Sequence, residues 1–214
     1  MTFITLIITA LALLISLTTH EFCHALVSYW LGDSTAKRLG RLTLNPLAHI
    51  DLVGTVLVPI IGLLSGFPVI GWAKPVPFNP YNLKSRRWGM AMVGLAGPAS
   101  NLLGAAVYLV MLKIGLAAIG LPMNNLLVIF LAQLVTVNIV LGIFNLLPMP
   151  PLDGSRLMEV FLDAPKYRST LLFLETRGPM LIFVLILLDS LAPISVIGSI
   201  FNAAVSGFFS LAGL

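Results

Sequence analysis

Three long apolar runs, at 3–31, 89–113 and 126–148, constrain this chain more than any other feature of its sequence. Each exceeds the roughly 20 residues that an α-helix needs to cross the ~30 Å hydrocarbon layer. The composition agrees, with 58% hydrophobic and 9% charged residues, where soluble domains carry about 25% charged. The formal charge of +4 comes from 12 Lys and Arg in short clusters between apolar runs. Clusters of that kind read as topology signals, and they exclude the single basic stripe of a nucleic-acid surface. One Cys excludes an internal disulfide framework and a cysteine-only zinc site.

The expected fold is an all-α polytopic membrane protein forming one domain over 1–214. Its core would run from about 3 to 160, with C-terminal helices over about 178–214. The N-terminal run lacks a basic start and a small-residue cleavage site and continues into HEFCH, so it is expected to be retained. The stretch 178–214 is broken by Asp189 and Pro193 and is expected to form two short crossings. With a re-entrant or hairpin segment near 51–66, that makes about five to six transmembrane helices.

Charge decides the path of 51–66 better than hydropathy does. Lys37, Arg38 and Arg41 precede it; Lys74, Lys84, Arg86 and Arg87 follow it; Arg156, Lys166, Arg168 and Arg177 lie beyond 126–148; only Lys113 is elsewhere. If 51–66 leaves and returns on one side, the other eleven cations share the cytoplasmic face, as the positive-inside rule prefers. Irregular backbone at that depth is tolerated only beside protein or a wet cavity. The same path brings HEFCH and PMPPLDG to one face.

HEFCH at 20–24 is the first motif with chemistry in it. Positions i and i+4 share a helix face, so His20 and His24 can both aim a ring nitrogen at one zinc, with Glu21 placed as general base. Ionisable groups inside a membrane helix are costly and usually functional. A catalytic zinc usually has three protein ligands and one open position. Asp153 could be the third ligand, at the turn that follows Pro148, Pro150 and Pro151; it could equally cap a helix starting near Ser155.

HEFCH, GRLTLNPLAHID, GWAKPVPFNP, GPASN and FNLLPMPPLDG together resemble the site-2 protease family of intramembrane zinc metalloproteases, over about residues 15–160. The likeness is to the compact prokaryotic branch without PDZ or CBS domains. It implies that Asp153 is the third ligand of one Zn2+ per chain, and that the NPxxH segment with His49 lies near the active site. His49 could contact substrate, support a ligand, anchor a loop or bind metal. Asn101 and Asn145 could donate to an oxyanion or substrate backbone, or simply join helices. Cys23 reads as packing, and Asp189 as a carboxylate paired with another helix.

The function expected on these grounds is zinc-dependent hydrolysis of peptide bonds in transmembrane substrates near the cytoplasmic face of a prokaryotic cell membrane. Zinc would polarise the scissile carbonyl while Glu21 moves a proton from water to the leaving amine. An extended substrate could add to a strand edge in Arg38–Asn45 or in GWAKPVPFNP, a small membrane-associated β element. Partners are transmembrane proteins or peptides and the lipid bilayer, with no nucleic acid and with room for a homo-oligomer or a separate regulatory protein. The alternative is a membrane zinc-binding or transport protein without proteolytic activity.

Overall fold

Apolar sequence in lipid must pair its backbone internally, and the computed structural model, which describes residues 3–58, 73–162 and 164–214, does so with helices. They are α1 (Phe3–Trp30), α2 (Thr35–Arg38), α3 (Arg86–Ala117), α4 (Leu126–Asn145), α5 (Gly154–Phe161), α6 (Arg168–Leu191) and α7 (Val196–Leu211). Four of them, α1, α3, α4 and α6, are long and apolar enough to cross a membrane. At 16 residues, α7 is about 24 Å long and falls short of the hydrocarbon layer.

The expected spans at 3–31, 89–113 and 126–148 are α1, α3 and α4. The C-terminal expectation needs correcting. Its first helix starts at Arg168, not near 178, so Glu175 and Arg177 lie on α6 itself and not in a loop. A helix of 24 residues is about 36 Å long and reaches past the apolar layer, which brings charged first turns to the interface. Asp189 ends α6 and accepts from Ser195 Oγ (2.5 Å) and from the N–H groups of Val196 and Ile197, tying α6 to the start of α7.

The core is a three-helix unit of α1, α3 and α4, with α5 against α3 and α7 against α4. Ala12, Leu112, Val128, Leu131 and Leu134 pack together in the half nearer the start of α1. Facing away, Ile7, Leu11, Leu103, Val107 and Val110 are exposed, as a lipid-facing surface requires. Polar residues turn inward instead: Ser16, His20, Glu21, His24, Asn101 and Asn138 are all buried. That inversion follows from the solvent, because in lipid the costly groups are polar ones without partners.

No strand occurs among the described residues, so the expected β element is not found there. Arg38–Asn45 turns back on α2 through Arg41 N–H to Ala36 O, at a left-handed Gly40. Alternating side chains make a strand only when an edge is available to pair. Of the re-entrant segment, Leu52–Leu57 forms a short π-helical stretch capped by the Asp51 carboxylate, and 59–66 lies outside the described residues. The neck of the excursion is described. Lys74 N–H donates to His49 O (2.9 Å), so the chain returns to where it left.

Beyond the neck, a strap from Lys74 to Asn79 runs along the end of α1. It is anchored on Asp33, a fully buried carboxylate that accepts from Ser28 Oγ, Thr35 N–H and Oγ1, Asn79 N–H and Asn82 Nδ2. Burial pushes the Asp33 carboxyl up, but the bonds from Asn82, Thr35 and Asn79 outweigh it and hold the group at about 2. Lys84 N–H donates to Leu31 O, which sets the foot of α3 beside the end of α1.

Candidate active site

His20 and His24 sit in the second half of α1, about 15 and 9 Å along the axis from its end at Trp30. Their rings face α3 at Gly97, the glycine of GPASN. A Cβ there would lie 2.4 Å from His24 Nε2 and 2.5 Å from His20 Nε2. Glycine is therefore what allows α3 to pass over the two rings. The third element is the turn after α4. Gly154 lets it fold back tightly, since a Cβ there would meet Leu146 O at 2.2 Å.

This turn delivers Asp153 to the histidines. Its Oδ2 lies 3.0 Å from His20 Nε2 and 3.3 Å from His24 Nε2, and the two Nε2 atoms are 3.0 Å apart. The capping reading is not what is observed, because the Asp153 side chain makes no cap hydrogen bond to α5. Burial pushes the Asp153 carboxyl up; when no cation lies between the three groups, His20 and His24 protonated at Nε2 donate to it and pull it down further.

The remaining ring nitrogens are committed. His24 Nδ1 lies 2.6 Å from Val93 O, and His20 Nδ1 lies 2.6 Å from Asn101 Oδ1. A carbonyl oxygen only accepts, so each Nδ1 carries the hydrogen and each neutral ring presents a lone pair at Nε2. Two lone pairs and a carboxylate oxygen then converge, all within 4.8 Å of one another. Such acceptors repel unless a cation or protons lie between them. Two His and one Asp are a donor set that suits zinc, with a coordination position to spare. Among the described residues, no other group of His, Cys, Asp and Glu is placed to hold a metal.

Glu21 is 8% exposed, and its Oε2 accepts the N–H of Val76 from the strap (3.0 Å). His49 is not brought into the cluster. It is buried, with Nε2 2.9 Å from Thr43 O and Nδ1 3.5 Å from Arg41 Nη2, where it anchors the neck of the excursion. Arg41 in turn donates to Lys74 O. Asn101 spends both ends of its amide, on His20 and Asn138. Asn145 donates to Leu141 O of its own helix (3.0 Å). Cys23 is half-buried and stands apart from the cluster.

Sequence reasoning missed four residues around this site: Ser16, Asp33, Arg41 and Asn138. Asn138 carried a readable signal, an amide in the middle of a membrane span. Asp33 and Arg41 did not, since loop charges are ordinarily solvated.

Comparison with known proteins gives the site a context. Residues 113–188 match the model of peptidase family M50. The chain is 40% identical over 179 residues, 82% of its length and 78% of the relative's, to "Putative zinc metalloprotease YwhC" of Bacillus subtilis. It is 30% identical to Rip2 of Mycolicibacterium smegmatis over 83% of its length and 66% of the relative's. With Rip3 of Mycobacterium tuberculosis it shares 32% over 64% of its own length and 33% of the relative's. Both carry the same zinc metalloprotease description. No solved structure matches the chain significantly.

Proposed function

The chain belongs to peptidase family M50, the site-2 protease family of zinc metalloproteases, and from that premise we propose that it hydrolyses peptide bonds of transmembrane substrates near the cytoplasmic face of the membrane. The observation that carries the reading is the convergence of His20, His24 and Asp153 inside a bundle of membrane-spanning helices. These three residues would hold one Zn2+, and Glu21 is the general base. When bound, zinc supplies Lewis acidity that polarises a carbonyl and acidifies water.

The chain's own groups do the rest. Val93 O and Asn101 Oδ1 keep the two imidazoles oriented. Glu21 takes a proton from water at its carboxylate and passes it to the leaving amine. Burial of His20, Glu21 and His24 among α1, α3 and the 149–153 turn shields the site from bulk water. Asn101 is reassigned from substrate contact to support of His20, and the Asn145 amide donates to Leu141 O within its own helix. His49 is assigned as a loop anchor beside the site.

The cytoplasmic assignment rests on charge. The segments after α1, the strap, the foot of α3, α5 and the segment leading into α6 share one face and carry most of the Lys and Arg residues. The catalytic core is assigned to about 3–160, with the C-terminal helices beside it. The transport alternative is set aside, because a relay of metal through the bilayer needs ligand groups at successive depths, and the described ligands form one group.

Glu21→Gln tests the mechanism in proteoliposomes with a transmembrane substrate. Stoichiometric zinc with cleavage abolished is expected; undiminished cleavage would refute the role of Glu21.

A further inference from the structure

Ser16, Asn138 and Asn101 belong to three different helices and are 0%, 2% and 1% exposed. An unpaired amide in an apolar interior is costly, so such residues persist where they are fully bonded. Here every bond has a defined direction. Ser16 Oγ donates to Ala12 O (2.7 Å), which leaves its lone pairs to accept Asn138 Nδ2 (2.8 Å). The second Asn138 hydrogen goes to Leu134 O (2.8 Å). That orients the amide, so Asn138 Oδ1 accepts from Asn101 Nδ2 (3.2 Å).

With its NH2 group turned to Asn138, Asn101 can offer His20 only Oδ1. His20 Nδ1 must then hold the hydrogen, and Nε2 faces Asp153 and His24 with its lone pair. Turning the Asn138 amide over would set donor against donor at Asn101, and turning the Asn101 amide over would set acceptor against acceptor at Asn138. We propose that Asn138 is a positioning residue of the metal centre: it relays the fixed backbone of α1 and α4 through Asn101 to set the tautomer and ring rotation of His20. The proposal rests on reading His20 as a zinc ligand. It also joins the two halves of the site, because α4 carries Asn138 and leads directly into the turn that holds Asp153.

The test measures zinc affinity by chelator competition in the full-length protein in detergent, with thermal unfolding of the zinc-free protein measured separately. Partners of metal-ligating histidines are worth about 10–100-fold in affinity. Asn138→Leu, close in shape, is expected to weaken zinc about tenfold or more, and so is Asn101→Leu. The double variant is expected to bind no more weakly than Asn101→Leu alone, because Asn138 acts through Asn101. Zinc affinity within twofold of wild type in Asn138→Leu, or losses that add in the double variant, would overturn the proposal and leave Asn138 as interhelical adhesion. Should Asn138→Leu fail to fold, Ser16→Ala decides: a few-fold loss of affinity is expected, and no change overturns the link. His20→Ala separates the premise from the proposal, since stoichiometric zinc in that variant would overturn the ligand reading and the proposal with it.

Discussion

Replacing Gly97 by Ala tests the site with a single methyl group. The added Cβ would stand 2.4 Å from His24 Nε2 and 2.5 Å from both Cε1 and Nε2 of His20. Ordinary contact begins near 3.4 Å, so about 1 Å of movement must be found between α3 and the two rings. Overpacking of this size costs about 1–3 kcal/mol of stability. The functional cost is larger, because metal ligands tolerate about 0.2 Å of displacement. A misplacement of about 1 Å costs about 100-fold in rate, or roughly 3 kcal/mol of transition-state stabilisation. Gly115→Ala on the same helix is the control, since its Cβ meets only Leu121 Cδ1 at 3.5 Å. Zinc titration and cleavage of a reconstituted transmembrane substrate should show Gly97→Ala weakened by about two orders of magnitude and Gly115→Ala near wild type. A folded Gly97→Ala protein with normal zinc binding and normal turnover would refute the placement of α3 over the histidines.

The other outcomes are simpler to state. Asp153→Ala should lose stoichiometric zinc, while His49→Ala should keep it, as read by metal analysis of the purified proteins; the reverse pattern would exchange their assignments. Asp33 has its carboxyl held at about 2, below its ordinary value of 3.8, so its contribution is present above pH ~4 and is lost as pH falls through ~2. Zinc-stripped wild-type protein should therefore lose up to about 2 kcal/mol of stability between those limits by this route. Asp33→Asn should be less stable at pH 7 and flatter over the same window, and identical pH profiles for the two proteins would contradict the anchoring role.

What could be read beforehand follows from how each signal arises. Hydropathy is a property of the residue run itself, so α1, α3 and α4 were legible close to their ends. HEFCH was legible because its ligand spacing is local to one helix. Asp153 was not decided by spacing, since an Asp after a proline turn also suits a cap; only the family resemblance favoured the ligand role, and the fold sends the carboxylate 133 residues back to His20. The charged start of α6 was hidden because hydropathy stops where a helix leaves lipid, although the helix does not. The role of His49 stayed open among substrate contact, ligand support, loop anchor and metal binding for a similar reason. Its motif marks a neighbourhood, while its bonds to Thr43 and Arg41 are made by the fold of the loop.

The strap also has a chemical polarity. Prolines at 75, 77 and 80 remove three backbone donors from KPVPFNP. The N–H groups of Lys74, Val76 and Asn79 are bound to His49, Glu21 and Asp33. A main chain with its donors deleted or spent meets a neighbouring peptide almost entirely through acceptors. A peptidomimetic meant to lie along it should carry its N–H groups toward the strap, and N-methylation on that edge should cost it affinity where N-methylation on the far edge does not.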